Sequence, residues 1–135
     1  MNESSIVKIL DSYKLAKRQR QYIFVDPDDS NETCSFDMFI NSLDNDDVEF
    51  INDYLNSKSK REFNRGLENF IVLSAHGIGT ELIMKATGMN LDGAAMSAGI
   101  GIGAIAFLKH SGKSLAYRNL NRAIQNNYVD NHPSF

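Results

Sequence analysis

The fold is decided by Leu67-Glu68-Asn69-Phe70-Ile71-Val72-Leu73-Ser74-Ala75-His76-Gly77-Ile78-Gly79-Thr80-Glu81-Leu82-Ile83-Met84, closed by Gly88-Met89-Asn90 and resumed from Leu91 to Leu108. The first part, helical from about Arg61, is nearly apolar from Leu67 onward, and Gly88 supplies the usual helix C-cap. A second apolar helix follows to about Leu108, so the two form a hairpin. Ala95, Gly99 and Gly103 fall at four-residue intervals, and so do Gly93, Ser97 and Gly101. Small residues at that spacing permit close backbone approach between helices. Glycine in a helix costs about 1 kcal/mol relative to alanine, so this many of them implies a packing reason. The uncharged run Gly93 to Leu108 falls short of the roughly 20 apolar residues a bilayer span needs, and its neighbour carries His76, Glu81 and Lys85. The hairpin is therefore read as a tightly packed, buried pair, with membrane insertion as the competing reading.

Working outward, Ser57 to Lys60 reads as a joint preceded by two short helices. One carries Phe36, Met38, Phe39, Ile40 and Leu43 after Ser35; the other carries Val48, Phe50, Ile51, Tyr54 and Leu55 and begins near Asp46 or Asp47. Carboxylates suit that second start, where they meet exposed amides and the positive dipole end. Asp26-Pro27-Asp28-Asp29-Ser30-Asn31 is a loop, because Pro27 fixes its own φ and pushes Asp26 out of helical geometry. Before it, Ile6, Val7, Leu10 and Tyr13, with Ser4 or Ser5 as cap, predict a helix from Ser4 to Ile23. Beyond the hairpin, Ser111-Gly112-Lys113 reads as a break before an amphipathic helix, Leu115 to Tyr128. No fixed-period repeat or low-complexity segment is visible. The expected fold class is all-α, two central apolar helices jacketed by amphipathic ones.

The 135 residues suit a single domain, 1–135. A hydrophobic content of 42% and a charged content of 23% are those of a folding chain. A net charge of -3 argues against nucleic acid as the main partner. Charge is unevenly spread: Lys8, Lys14, Lys17, Arg18 and Arg20 make the first segment basic, whereas Asp26 through Glu49 carries acids and no Lys or Arg. Cys34 stands alone and forms no internal disulfide, which fits a reducing compartment. No stretch has the build of a signal peptide, and an intracellular protein is expected.

Catalytic constellations are not found. His76, His110 and His132 are far apart and lack Cys or carboxylate at ligand spacing, so neither metal nor cofactor is expected. Ser74 and His76, two apart on a helix, diverge and cannot serve as nucleophile and base. Gly99-Ile100-Gly101-Ile102-Gly103 has no preceding strand and is no dinucleotide fingerprint. Nothing sets two carboxylates in opposed environments for acid–base work. The chain reads as a binding protein rather than an enzyme.

Three segments resemble motifs of the Bcl-2 family of apoptosis regulators. Ile6-Val7, then Tyr13-Lys14-Leu15 with Arg18 and Tyr22, is similar to the family's N-terminal homology segment. Phe63-Asn64-Arg65-Gly66-Leu67-Glu68-Asn69-Phe70, running through Ile71-Val72 to Gly79 and Leu82, resembles the first homology motif and lies on the first helix of the apolar hairpin, where the family puts it. Phe107-Leu108-Lys109-His110-Ser111-Gly112-Lys113 with Leu115 and Tyr117 is similar to the second. The family's Asn-Trp-Gly-Arg is replaced by Glu68-Asn69-Phe70-Ile71 or Asn69-Phe70-Ile71-Val72, and the chain has no Trp.

The resemblance implies a Bcl-2-like helical bundle around the central hydrophobic helical hairpin, with a groove that receives the amphipathic Bcl-2-homology-3 helix of pro-apoptotic partners. It implies a groove lined by Phe63, Gly66, Asn69, Phe70, Leu73, Ser74 and Ile78, to which helical spacing adds Phe50 and Tyr54. Such a trough removes a ligand's apolar anchors from water at about 25 cal/mol per Å². Without the family's arginine a charge-assisted bond of about 1.5–3 kcal/mol is lost, which implies narrower partner selection unless Arg61 or Arg65 compensates. The absence of a Leu-x-x-x-Gly-Asp death motif points to a pro-survival, anti-apoptotic, virus-encoded type of regulator. It would act in the host cytoplasm, with peripheral contact at mitochondria and no stable membrane anchor, a homodimer being left open. Two rivals stand beside it: a membrane-perturbing effector in which the hairpin inserts, and an unrelated helical adaptor or immunity protein whose partner binds the acidic stretch.

Overall fold

In the first of its helices, α1 (Glu3–Asp11), Asn2 accepts a hydrogen bond from the Ser4 amide, and Ile6 and Leu10 turn inward. The computed structural model describes residues 1–16, 21–25 and 33–133. Three short strands follow, β1 (Tyr13–Ala16), β2 (Gln21–Val25) and β3 (Thr33–Ser35), then α2 (Phe36–Asn41), α3 (Asn45–Ala86) and α4 (Ala94–Asn131). The chain is mostly helical, as expected, with an antiparallel sheet in the order β1-β2-β3 that the helical reading of Ser4 to Ile23 did not foresee. Tyr13-Lys14-Leu15 lies in β1, where Tyr13 pairs with Phe24 and Leu15 with Tyr22. Ser12 ends the helix by donating its hydroxyl to the Ile9 carbonyl, and Tyr22-Ile23-Phe24-Val25 is a run of aromatic and β-branched residues that favours a pleated strand. Arg18, the other basic residues at 17 and 20, and the expected 26–31 loop lie outside the described residues.

The described residues form two compact units, one made of 1–55 and 120–135, the other of 56–119. In unit one Tyr22 and Phe24, two apart on β2, both meet α2: Tyr22 lies 5.2 Å from Phe36 and Phe24 4.8 Å from Phe39, ring centre to ring centre. Ser35 caps α2 by accepting from the Met38 amide at 3.2 Å. The start of α3 is a reciprocal box: Asp44 accepts from the Asp47 amide at 2.8 Å and Asp47 from the Asp44 amide at 3.0 Å, satisfying two otherwise orphan donors. Ile6, Leu10, Phe24, Phe39, Ile40, Leu43, Val48, Ile51 and Leu55 are buried with Leu120 and Ile124 of α4. Polar ties between α3 and α4 flank this core, from Asn121 to Asn52 at 2.9 Å and from Tyr128 to Asn45 at 2.8 Å.

Unit two is an antiparallel pair of helices. The expected joints at Ser57–Lys60 and Ser111–Lys113 are absent, because α3 and α4 run unbroken through both. Neither stretch contains proline, and Ser59 is drawn inward to donate to the Ser114 carbonyl at 3.0 Å, with its hydroxyl 2.8 Å from that of Ser114. The expected stop at Gly88 is realised. Gly88, at φ +83°, lets its amide bond Lys85 and the Met89 amide bond Met84, the paired bonds of a Schellman ending. The amino end of α4 is capped from across the hairpin, where the Ala95 amide donates to Glu81 Oε1 at 2.8 Å.

Of the two small-residue rows, Ala95, Gly99 and Gly103 form the seam. A Cβ on Gly77 would lie 2.6 Å from the Ala95 carbonyl oxygen, and one on Gly99 2.6 Å from that of Leu73. Gly103 sits against the Phe70 backbone, whereas a Cβ on Gly101 would meet nothing within 4 Å. Gly77→Ala or Gly99→Ala should destabilise the hairpin by about 1–3 kcal/mol through overpacking. Gly101→Ala should be neutral or stabilising by up to about 1 kcal/mol through helix propensity. Thermal unfolding followed by circular dichroism reads both, and equal melting temperatures for Gly99→Ala and Gly101→Ala would refute the seam.

Candidate functional site

The two units distribute apolar surface in opposite ways. Every fully buried hydrophobic side chain among the described residues belongs to unit one, while the exposed large ones, apart from Met1, Met38 and Val129, belong to unit two. The reason lies in the seam. Two helices whose facing residues are glycine and alanine lie so close that little volume remains between them, and larger side chains on other faces turn outward. Leu82 is 64% exposed, Ile105 69% and Leu108 68%. On α3 Leu67, Ile71, Ile78 and Leu82 form one exposed row; on α4 Met96, Ile100, Ile102 and Ile105 are exposed. From Asn69 to Leu108 the only Asp, Glu, Lys or Arg residues are Glu81, Lys85 and Asp92.

The residues expected to line a groove divide between the units. Phe50 and Tyr54 belong to unit one, stacked with ring centres 6.1 Å apart, and the Tyr54 hydroxyl donates to Asp11 at 3.0 Å. The other seven lie on α3 within unit two. Gly66 is buried against His110 and Phe107 of α4, Phe70 packs edge-on to Phe107, and the Leu73 carbonyl faces Gly99. Phe63 also packs edge-on to Phe107 at 5.7 Å while remaining 41% exposed. Asn69 is exposed beside His110, Ile78 is exposed, and the Ser74 hydroxyl is buried without a hydrogen-bond partner. Gly66, Phe70 and Leu73 are thus brought together, with α4 of the same chain occupying the space they face. A shallow apolar depression opens elsewhere on α3, lined by Ile71, Val72, Ala75, His76, Gly79 and Ile83 among others, and it includes none of the expected groove residues. Sequence reasoning missed this outer surface, although a signal was present in helices that are apolar on nearly every side rather than along one stripe.

One polar cluster lies on the hairpin. His110 Nδ1 is 2.7 Å from Glu62 Oε2, and its Nε2 is 3.3 Å from the Asn69 side-chain nitrogen. A proton on Nδ1 satisfies both contacts, donating to the carboxylate and leaving Nε2 to accept from the amide. Among the described residues no three His, Cys, Asp or Glu side chains gather as a metal site. The hydrogen bond from His110 holds the Glu62 carboxyl below its ordinary value of 4.5; burial opposes this, and the positive charges of Lys113 and Arg65 add to the lowering. A carboxyl whose pKa is lower when folded stabilises fully above its unfolded value, and that contribution fades as pH falls through the folded value. The melting-temperature advantage of the native protein over Glu62→Gln should therefore be largest near neutral pH and shrink below about pH 4.5. An advantage that grew on acidification would contradict the assigned pair.

The chain matches no family model, no curated protein and no solved structure among those compared.

Proposed function

We propose that the protein is a non-catalytic effector whose hairpin, residues 67–108, lays its apolar outer surface onto the interface of a lipid bilayer. The observation that carries this reading is the bare apolar surface of a hairpin whose own helices are already locked together. Contiguous exposed apolar patches on a folded chain mark interaction surfaces, and each large aliphatic side chain removed from water contributes about 1.5–3 kcal/mol. A seam of glycine and alanine supports the same reading, since such seams hold helices together where lipid is no less apolar than the side chains. No helix among the described residues is long and apolar enough to cross a membrane, so the proposed mode is interfacial, with the apolar side chains at the level of the headgroups and upper acyl chains.

The resemblance to the Bcl-2 family supports a different proposal, capture of a pro-apoptotic Bcl-2-homology-3 helix by a pro-survival protein. On this chain that capture requires α4 to leave Gly66, Phe70 and Leu73, or requires the ligand to use another face. One pair of measurements separates the two. Flotation with liposomes and release of an entrapped dye at neutral pH should be positive for the native protein and at least tenfold weaker for an Ile105→Asp/Leu108→Asp variant. Both of its residues are exposed, so the fold should persist. Absence of liposome binding, together with saturable calorimetric binding of death-motif peptides that Leu73→Glu abolishes, would overturn the lipid reading in favour of helix capture.

A further inference from the structure

The apolar hairpin is bordered, within the same unit, by a band of cations. Lys60, Arg61 and Arg65 on α3 and Lys109 and Lys113 on α4 are all exposed. The antiparallel register fixed by Glu62 with His110 and by Ser59 with Ser114 sets Arg65 roughly level with Lys109, and Arg61 with Lys113. Only two acids interrupt the band, Glu62 and Glu68, and Glu62 is half-buried and engaged by His110, with Arg65 3.9 Å away. Beyond it the apolar stretch begins almost at once. Leu108 directly precedes Lys109, and Arg65 is six residues from Ile71, about 9 Å at the helical rise of 1.5 Å per residue. A chain with a net charge of -3 has concentrated cations beside its most apolar surface.

That juxtaposition is complementary to one kind of surface, an apolar layer edged by phosphate. Long Lys and Arg side chains keep their heads in water while their stems follow apolar surface, and cations near an anionic leaflet strengthen membrane attachment additively. We propose that Arg65, Lys109 and Lys113, with Lys60 and Arg61 beside them, form a headgroup-binding collar that directs the hairpin to bilayers rich in anionic phospholipid. This inference rests on the lipid reading above and adds its selectivity. A nucleic acid would also answer to the cations, but it would leave the neighbouring apolar side chains in water, and so it is not the occupant proposed.

The test is flotation of the full chain with vesicles of phosphatidylcholine alone and of phosphatidylcholine containing one quarter phosphatidylglycerol. The native protein should prefer the anionic vesicles. In an Arg65→Gln/Lys109→Gln/Lys113→Gln variant that preference should fall by about fivefold per side chain, on the order of a hundredfold in all, while binding to phosphatidylcholine stays as it was. A preference that survives the triple substitution overturns the collar. Equal binding of the native protein to both vesicles also overturns it and leaves the lipid reading standing, whereas binding to neither removes both. If the triple variant loses its helicity, the native protein in rising salt decides the same point. Attachment to anionic vesicles must weaken by screening while attachment to neutral ones holds, and salt-independent attachment to both overturns the collar.

Discussion

Gly77 and Gly99 meet across the hairpin with no side chain between them, and the carbonyls of Ala95 and Leu73 occupy the places that two Cβ atoms would need. This approach fixes one register for the pair, and the remaining contacts in the unit obey it. Phe70 lies over Gly103, Gly66 under His110, Glu62 reaches His110, Ser59 meets Ser114, and Glu81 reaches the first turn of α4. It also decides where the large side chains go. A helix pair closed on glycine encloses almost no interior, so its isoleucines and leucines cannot be buried by the pair itself. Tight packing and wide apolar exposure are then two results of the same small residues.

Unit one carries a conventional core, with the aromatic side chains of β2 and α2 and the aliphatic ones of α1, α3 and α4 removed from water. The reciprocal capping of Asp44 and Asp47 and the side-chain ties from Asn52 and Asn45 to α4 anchor it further. Burial of that kind is the main favourable term in folding. The hairpin contributes little of it, and its large apolar side chains are not placed where folding alone would put them. Surface that the fold does not consume is the surface to examine for function.

Much of the helical order was legible in the residues. Gly88 announced the end of α3, Ser35 the start of α2, and the small residues at four-residue intervals a close helix contact. Two rows of small residues were equally good candidates, and only packing chose Ala95, Gly99 and Gly103 over Gly93, Ser97 and Gly101. The sheet was hidden because Ile6, Leu10 and Tyr13 keep helical phase past the point where Ser12 ends the helix. The supposed joints at Ser57–Lys60 and Ser111–Lys113 misled for another reason. Serine and lysine are tolerated in a helix, and a pair of serines that bond across helices looks, in sequence, like a polar break. Two of the helices expected to jacket the hairpin, at 46–55 and 115–128, are stretches of α3 and α4 themselves, so exposure of the apolar faces was not legible from their composition. Of the nine candidate groove residues, Gly66, Phe70 and Leu73 face α4 of the same chain, and a residue that lines a groove and one that lines a helix seam have the same apolar, small-next-to-large pattern.

The seam also bears on what can occupy the hairpin's surfaces. The face of α3 that carries Gly66, Phe70, Leu73 and Gly77 is shaped to a partner helix with small residues at its crossing, which α4 supplies as Gly103, Gly99 and Ala95. A ligand helix bearing large anchors at i, i+3 or i+4 and i+7 presents the opposite relief, and at Gly77 its side chains would meet backbone. The outer faces impose no such demand. Their isoleucines, leucines and methionines offer area without a deep cavity, and a bilayer interface, which has no fixed shape, can cover area of that kind with no matching relief. The basic residues at the edge of the same surface are exposed, and on an anionic bilayer they would add a charge preference without requiring any of those side chains to move.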